Sequence, residues 1–148
     1  MILTSPSFNN DADIPTKFTC DGGDINPELH VQNVPEEAKS LALIMDDPDA
    51  TRGRSFTHWL VWNINPETTL IKQESVPPGS VEGKNDFPAV GYGGPCPPQG
   101  SAPHHYHFKL YALDEMLDLP SGSSKSLLEA EIDKHLITQA ELVGLYGR

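Results

Sequence analysis

No stretch of this 148-residue chain stays apolar over the ~20 residues that a membrane-spanning helix requires. The opening MILTSPSFNNDAD has no basic start followed by an apolar core, so no secretory leader is expected and a cytoplasmic location is. Basic residues are scarce. Ten Lys and Arg face 21 Asp and Glu, a net charge of −11, which opposes long-range attraction to nucleic acid or anionic membranes. Any anionic ligand must therefore be small and held by local groups. Cysteine is nearly absent: Cys20 and Cys96 match no zinc spacing and form no CxxC. They are expected as free thiols in a reducing compartment, with a disulfide only if the fold brings them together. No GxxxxGK[ST], helix-opening GxGxxG or GxSxG occurs, which removes the common phosphate-loop, dinucleotide and nucleophile-elbow classes. No cofactor is expected.

What is present suits one domain spanning residues 1–148, since 37% hydrophobic residues supply a core and 21% charged residues a soluble surface. Residues 40–45 (SLALIM), 56–64 (FTHWLVWNI) and 106–113 (YHFKLYAL) are rich in β-branched, aromatic and aliphatic side chains and read as strands. The first two are nearly continuous apolar runs, as strands buried on both faces would be. Long Gly- and Pro-rich loops separate them at 21–27, 46–54 and 76–100. A loop of such length as the last is uncommon in a compact domain unless it has a use. Residues 123–139 read as a helix, with Leu128, Ile132 and Leu136 recurring at i+4 and Ser123 or Ser124 as N-cap. Residues 141–146 (ELVGLY) look extended. The expectation is a mainly β fold, a two-sheet antiparallel β-sandwich with a C-terminal helix.

The densest chemistry lies in GYGGPCPPQG, residues 91–100, with four glycines and three prolines. Gly93-Gly94 allows close backbone approach, while Pro95, Pro97 and Pro98 stiffen the chain. A stiff loop with free N–H groups would hold an oxyanion at little ordering cost, and a rigid surface crossover is the simpler alternative. The HHYH that follows divides by strand parity: His104 and Tyr106 share the inward face with Phe108 and Leu110, while His105 and His107 face solvent. The spacing of His105 and His107 suits two metal ligands, but no third ligand is near, so no metal is expected. By the same parity Phe56, His58, Leu60 and Trp62 share a face, where a lone histidine is either a satisfied core residue or a site residue. Asp46-Asp47-Pro48-Asp49 reads as a turn, or as carboxylates that orient an imidazole toward a ligand.

In order along the chain, DPDA (47–50), HWLVWNI (58–64), GYGGPCPPQG (91–100) and HHYHFKLYALD (104–114) resemble the phosphatidylethanolamine-binding protein family, which includes the Raf kinase inhibitor proteins. The form GPCPP and the short length are similar to its bacterial and archaeal branch. That resemblance implies two antiparallel sheets with Greek-key links and a small end pocket for phosphate-like anions. It implies Asp47, His58, Gly94, His104 and Tyr106 as the ligand-binding residues. It also implies a phosphorylated head group or phosphopeptide as ligand, a kinase or protease as partner, and a homodimer. His30 stands where related sequences often carry Trp at the pocket rim, and His105 where they often carry Arg. The competing reading is a hydrolase using Asp47, His58 and Tyr106 as acid–base groups, or Cys96 as nucleophile.

Overall fold

The computed structural model describes residues 1–51 and 53–148; residue 52 lies outside the described residues. Among the described residues, two sheets and one α-helix carry the chain. The smaller sheet has β1 (Ile2–Thr4), β3 (Leu29–Gln32) and β6 (Leu70–Ile71), in the order β1-β3-β6. The larger contains β2 (Ala12–Asp13), β4 (Ser40–Asp47), β5 (Phe56–Ile64), β7 (Val81–Glu82), β8 (His104–Leu113) and β9 (Leu136–Tyr146). Its order is β2-β9-β8-β4-β5-β7. The pairing is antiparallel with one exception, which corrects the all-antiparallel expectation: β2 runs parallel to β9. Nearly the whole chain separates those two strands, so a parallel pairing meets no connection-length limit.

The apolar run of β4 is explained by its two faces. Leu41, Leu43 and Met45 join Leu3, Leu29, Val31 and Ile71 of the smaller sheet in one buried cluster. Ala42 and Ile44 point the other way and pack with Leu128 and Ile132 of the helix α1 (Lys125–His135). Truncating a buried leucine to alanine in such a core typically costs about 2–5 kcal/mol. Ser124 caps α1 by accepting from the Leu127 N–H. The helix stops four residues short of the expected end. Leu136 lies outside it and is exposed, and β9 starts there, because pairing with β8 continues back to Leu113–Leu136. Tertiary pairing has overridden a periodic pattern that favours helix.

Two further expectations are corrected. The strand of residues 40–45 continues through Asp47, so Asp46 and Asp47 are strand residues on opposite faces rather than a loop. Cys20 and Cys96 form a disulfide and are not free. The reason is lacing between the two segments. Cys20 N donates to Pro95 O at 3.1 Å, and Tyr92 Oη donates to Phe18 O at 2.7 Å. The two half-cystine Cα atoms are then 5.4 Å apart, across 76 residues of sequence.

Candidate functional site

At one end of the larger sheet a cavity of about 540 Å³ opens between β4, β5, β8 and the proline loop. Its wall includes Asp47, Phe56, His58, Phe87, His104 and Tyr106, with Cys96, Pro97 and Pro98 closing one side. Four of the five residues expected at a site therefore meet there, although 57 residues separate Asp47 from His104.

Strand alternation and one irregularity place the side chains. His104 and Tyr106 point inward from β8, both buried, while His105 and His107 face out to Asp49 and Glu141. On β5, Met45 pairs with Trp59 but Asp46 pairs with Thr57, so His58 is the extra residue of a β-bulge. The bulge changes the parity of the strand. Leu60 and Trp62 turn to the helix side and Trp59 and Val61 to the inter-sheet core, whereas His58 stays beside Phe56 and Tyr106. The expectation that Phe56, His58, Leu60 and Trp62 share one face fails at this bulge.

The imidazoles are anchored differently. His104 Nδ1 donates to Asp47 Oδ2 at 2.7 Å, and the other oxygen of Asp47 accepts from the Asp49 N–H at 2.8 Å. Both groups are nearly sealed from solvent. His58 Nδ1 donates to the Gly93 carbonyl at 2.7 Å, and Gly93 N donates back to His58 O at 2.9 Å. Burial pulls the His58 pKa below its ordinary value; the Gly93 carbonyl and the carboxylates of Asp47, Asp46 and Asp86 oppose this without overcoming it. Burial, and next the Asp47 charge, push the Tyr106 phenol far up, so it is a neutral hydroxyl at any ordinary pH.

Gly94 sits behind the wall, not in it. Its N–H donates to Asp24 Oδ1 at 2.8 Å, and a Cβ there would strike the Phe18 carbonyl. Gly93 is constrained too, since a Cβ would enter the Phe87 ring. The glycines thus permit packing, and the N–H groups of Gly93 and Gly94 are both committed within the protein. His30, expected at the rim, lies on β3 of the other sheet beside Glu28 and lines a separate groove.

Sequence reasoning missed the opposite lip. Buried Asn85 donates to Gly91 O, and its oxygen accepts from the Phe87 and Ala89 N–H groups. This turn holds Asp86 and Phe87 over the cavity, where the Phe87 ring centroid is 4.8 Å from Phe56 and 5.5 Å from His58. A single asparagine in a long loop carries no spacing signal that would have found it.

Fold and cavity together define a class: a mainly β protein of two sheets, with a buried Asp–His pair and a carbonyl-anchored histidine in a pocket at one end of the larger sheet. A family model described as phosphatidylethanolamine-binding protein matches residues 4–147. A UPF0098 protein of Pyrococcus abyssi is 48% identical over 154 residues, covering 100% of this chain and 86% of that protein. The crystal structure of CT736 from Chlamydia trachomatis, a putative phosphatidylethanolamine-binding protein homolog, superposes with a TM-score of 0.93 at 38% identity, covering 99% of this chain and 97% of that one. YbcL of Escherichia coli, described as a member of the mammalian family, gives 0.93 at 34% identity with the same coverage. The chain belongs to the phosphatidylethanolamine-binding protein family.

Proposed function

We propose that this protein binds a small phosphate-like anion in the end pocket of a two-sheet sandwich with Greek-key links, without turning it over. The observation that carries the reading is the convergence of two anchored imidazoles, His58 and His104, on one cavity. In this role Asp47 orients His104 toward the anion, Tyr106 forms the floor with its hydroxyl, and Gly94 supports the wall from behind. Charge-assisted hydrogen bonds contribute about 1.5–3 kcal/mol each, so a bare phosphate would bind weakly. A phosphorylated head group or phosphopeptide would add contact along the apolar lip of Phe56, Phe87, Pro97 and Pro98. Regulation of a kinase or protease, and a homodimer, enter the proposal through family resemblance. A cytoplasmic location is also part of the proposal, and it requires conditions that keep Cys20–Cys96 oxidised, as in hyperthermophile cytosol.

The test is a phosphate titration followed by histidine NMR. The His58 and His104 signals move on binding, while His105 and His107 stay fixed. Stationary signals from all six histidines would leave a scaffold without this ligand.

A hydrolase is the second reading, favoured by the Asp47–His104 pair, which has the form of a general base and its orienting carboxylate. Against it, no hydroxyl or thiol hydrogen-bonds His104 Nε2 among the described residues, and Cys96 is in a disulfide. Release of product from phosphoesters or peptides, abolished by His104→Gln, would favour catalysis over binding.

A further inference from the structure

Each cavity imidazole has one nitrogen already engaged. A main-chain carbonyl can only accept, so the contact from His58 Nδ1 to Gly93 O fixes a proton on Nδ1. His104 Nδ1 is fixed in the same way by the Asp47 carboxylate. In the neutral ring the remaining nitrogen, Nε2, presents a lone pair. Neither Nε2 has a protein partner among the described residues, although both rings are more than nine-tenths buried. The two rings are not equivalent. His104 faces a carboxylate that would balance an imidazolium. His58 faces an amide carbonyl and three aromatic rings: Phe56 at 4.9 Å, Tyr106 at 5.2 Å and Phe87 at 5.5 Å between centroids.

An oxyanion also presents lone pairs, so a neutral His58 repels it unless a hydrogen lies between them. We infer that His58 makes the cavity select by proton content: it takes an oxyanion that still bears an acidic hydroxyl, and takes a fully deprotonated one only together with a proton from solution. This rests on the anion-binding reading. The hydroxyl-bearing class comprises hydrogen phosphate and singly ionised phosphomonoesters; sulfate and phosphomonoester dianions belong to the second class. In the first case the ligand O–H donates to His58 Nε2. In the second the proton sits on Nε2 and is donated to a ligand oxygen.

The charged and titratable groups around His58 pull in both directions, with Arg54 a fixed cation that opposes a proton there. They are Asp46 and Asp47 from β4, Asp86 from the segment after β7, Arg54 from the loop entering β5, and His104 and Tyr106 from β8. The carboxylates favour a proton on His58, but burial outweighs them in the empty cavity. An arriving dianion adds the negative charge that reverses that balance.

The experiment is calorimetric titration of the whole chain with sulfate and with inorganic phosphate at pH 6, 7 and 8, in two buffers of different ionisation heat. For sulfate, affinity falls about tenfold from pH 7 to 8 and about one proton is taken up per anion, as one-proton linkage requires. Phosphate, which keeps a hydroxyl throughout, weakens several-fold less. The nitrogen resonance of His58 Nε2 moves to its protonated position when sulfate is added, and His58→Gln flattens the sulfate profile. Sulfate bound equally well at pH 6 and 8 with no proton uptake overturns the inference while leaving anion binding intact. Failure of both anions to bind at every pH removes the anion-binding reading, and this inference with it.

Discussion

Two aspartate–histidine pairs lie side by side and differ in their surroundings. Asp47–His104 and Asp49–His105 each close at 2.7 Å between Nδ1 and Oδ2. In the first pair the side chains are 8% and 5% exposed, His then Asp; in the second they are 52% and 42% exposed. Since His104 and His105 are neighbours on β8, strand alternation alone sends one to the cavity and the other to water. The same contact is therefore a built part of a site in one case and surface decoration in the other. What separates them is desolvation and the shared cavity with His58, not the bond itself.

The sharpest way to break the comparison is Asp47→Ala. Removing one partner of a buried carboxylate–imidazole contact costs about 3 kcal/mol or more, because the group left behind stays buried without its hydrogen bond. Urea unfolding reads the loss, and phosphate titration reads the displaced His104. Asp47→Asn, which keeps a carbonyl acceptor, should lose much less stability. If both variants unfold like the unmodified protein, the buried pair is no more than its exposed neighbour.

Next in size is the disulfide, whose Cys96 half lines the same cavity. The double change Cys20→Ser, Cys96→Ser should lower stability by about 2–4 kcal/mol, chiefly by freeing the unfolded chain. It should also weaken anion binding, because the Pro97–Pro98 wall loses its tether. Thermal melts with and without reductant check the first effect.

A smaller effect separates His58 from the exposed histidines. Its pKa in the folded state lies below its ordinary value near 6.5, so the unfolded chain binds more protons across that interval. Stability from this group is fully present above about pH 6.5 and is lost as pH falls through that value toward the folded one. Unfolding measured from pH 7.5 to 5 should show this slope, and His58→Gln should remove its share.

The strands that build this site were legible because burial on both faces leaves an unbroken apolar run, as in β4 and β5. The parity of β8 was legible too, since HHYHFKL alternates cleanly. The parity of β5 was not, because a bulge at His58 leaves no mark in a run of apolar residues. The short strands β1, β2, β3, β6 and β7 were also missed: two to four residues give no period to detect. The disulfide was obscured for a different reason. Its closure depends on Tyr92 and Pro95 meeting residues near position 20, a contact between segments some 76 positions apart. The family resemblance brought Asp47, His58, His104 and Tyr106 together before any geometry did. It also brought Gly94, whose N–H proves to be engaged by Asp24.

The smallest expected effect completes the comparison. Asp49 accepts from both the His105 ring and the His105 N–H, at 2.7 and 2.8 Å. The side-chain hydrogen bond from His105 holds its carboxyl below the usual 3.8. That contribution is present above about pH 3.8 and fades as pH falls through the folded value. Exposed pairs of this kind are worth about 0–1 kcal/mol and are screened by salt. Asp49→Ala should therefore shift urea unfolding by no more than that, less in high salt, and should leave the phosphate titration of His58 and His104 unchanged. A loss of anion affinity as large as that of Asp47→Ala would mean that the outer pair reaches the cavity through the Asp49 N–H on Asp47, and that the two pairs act as one network.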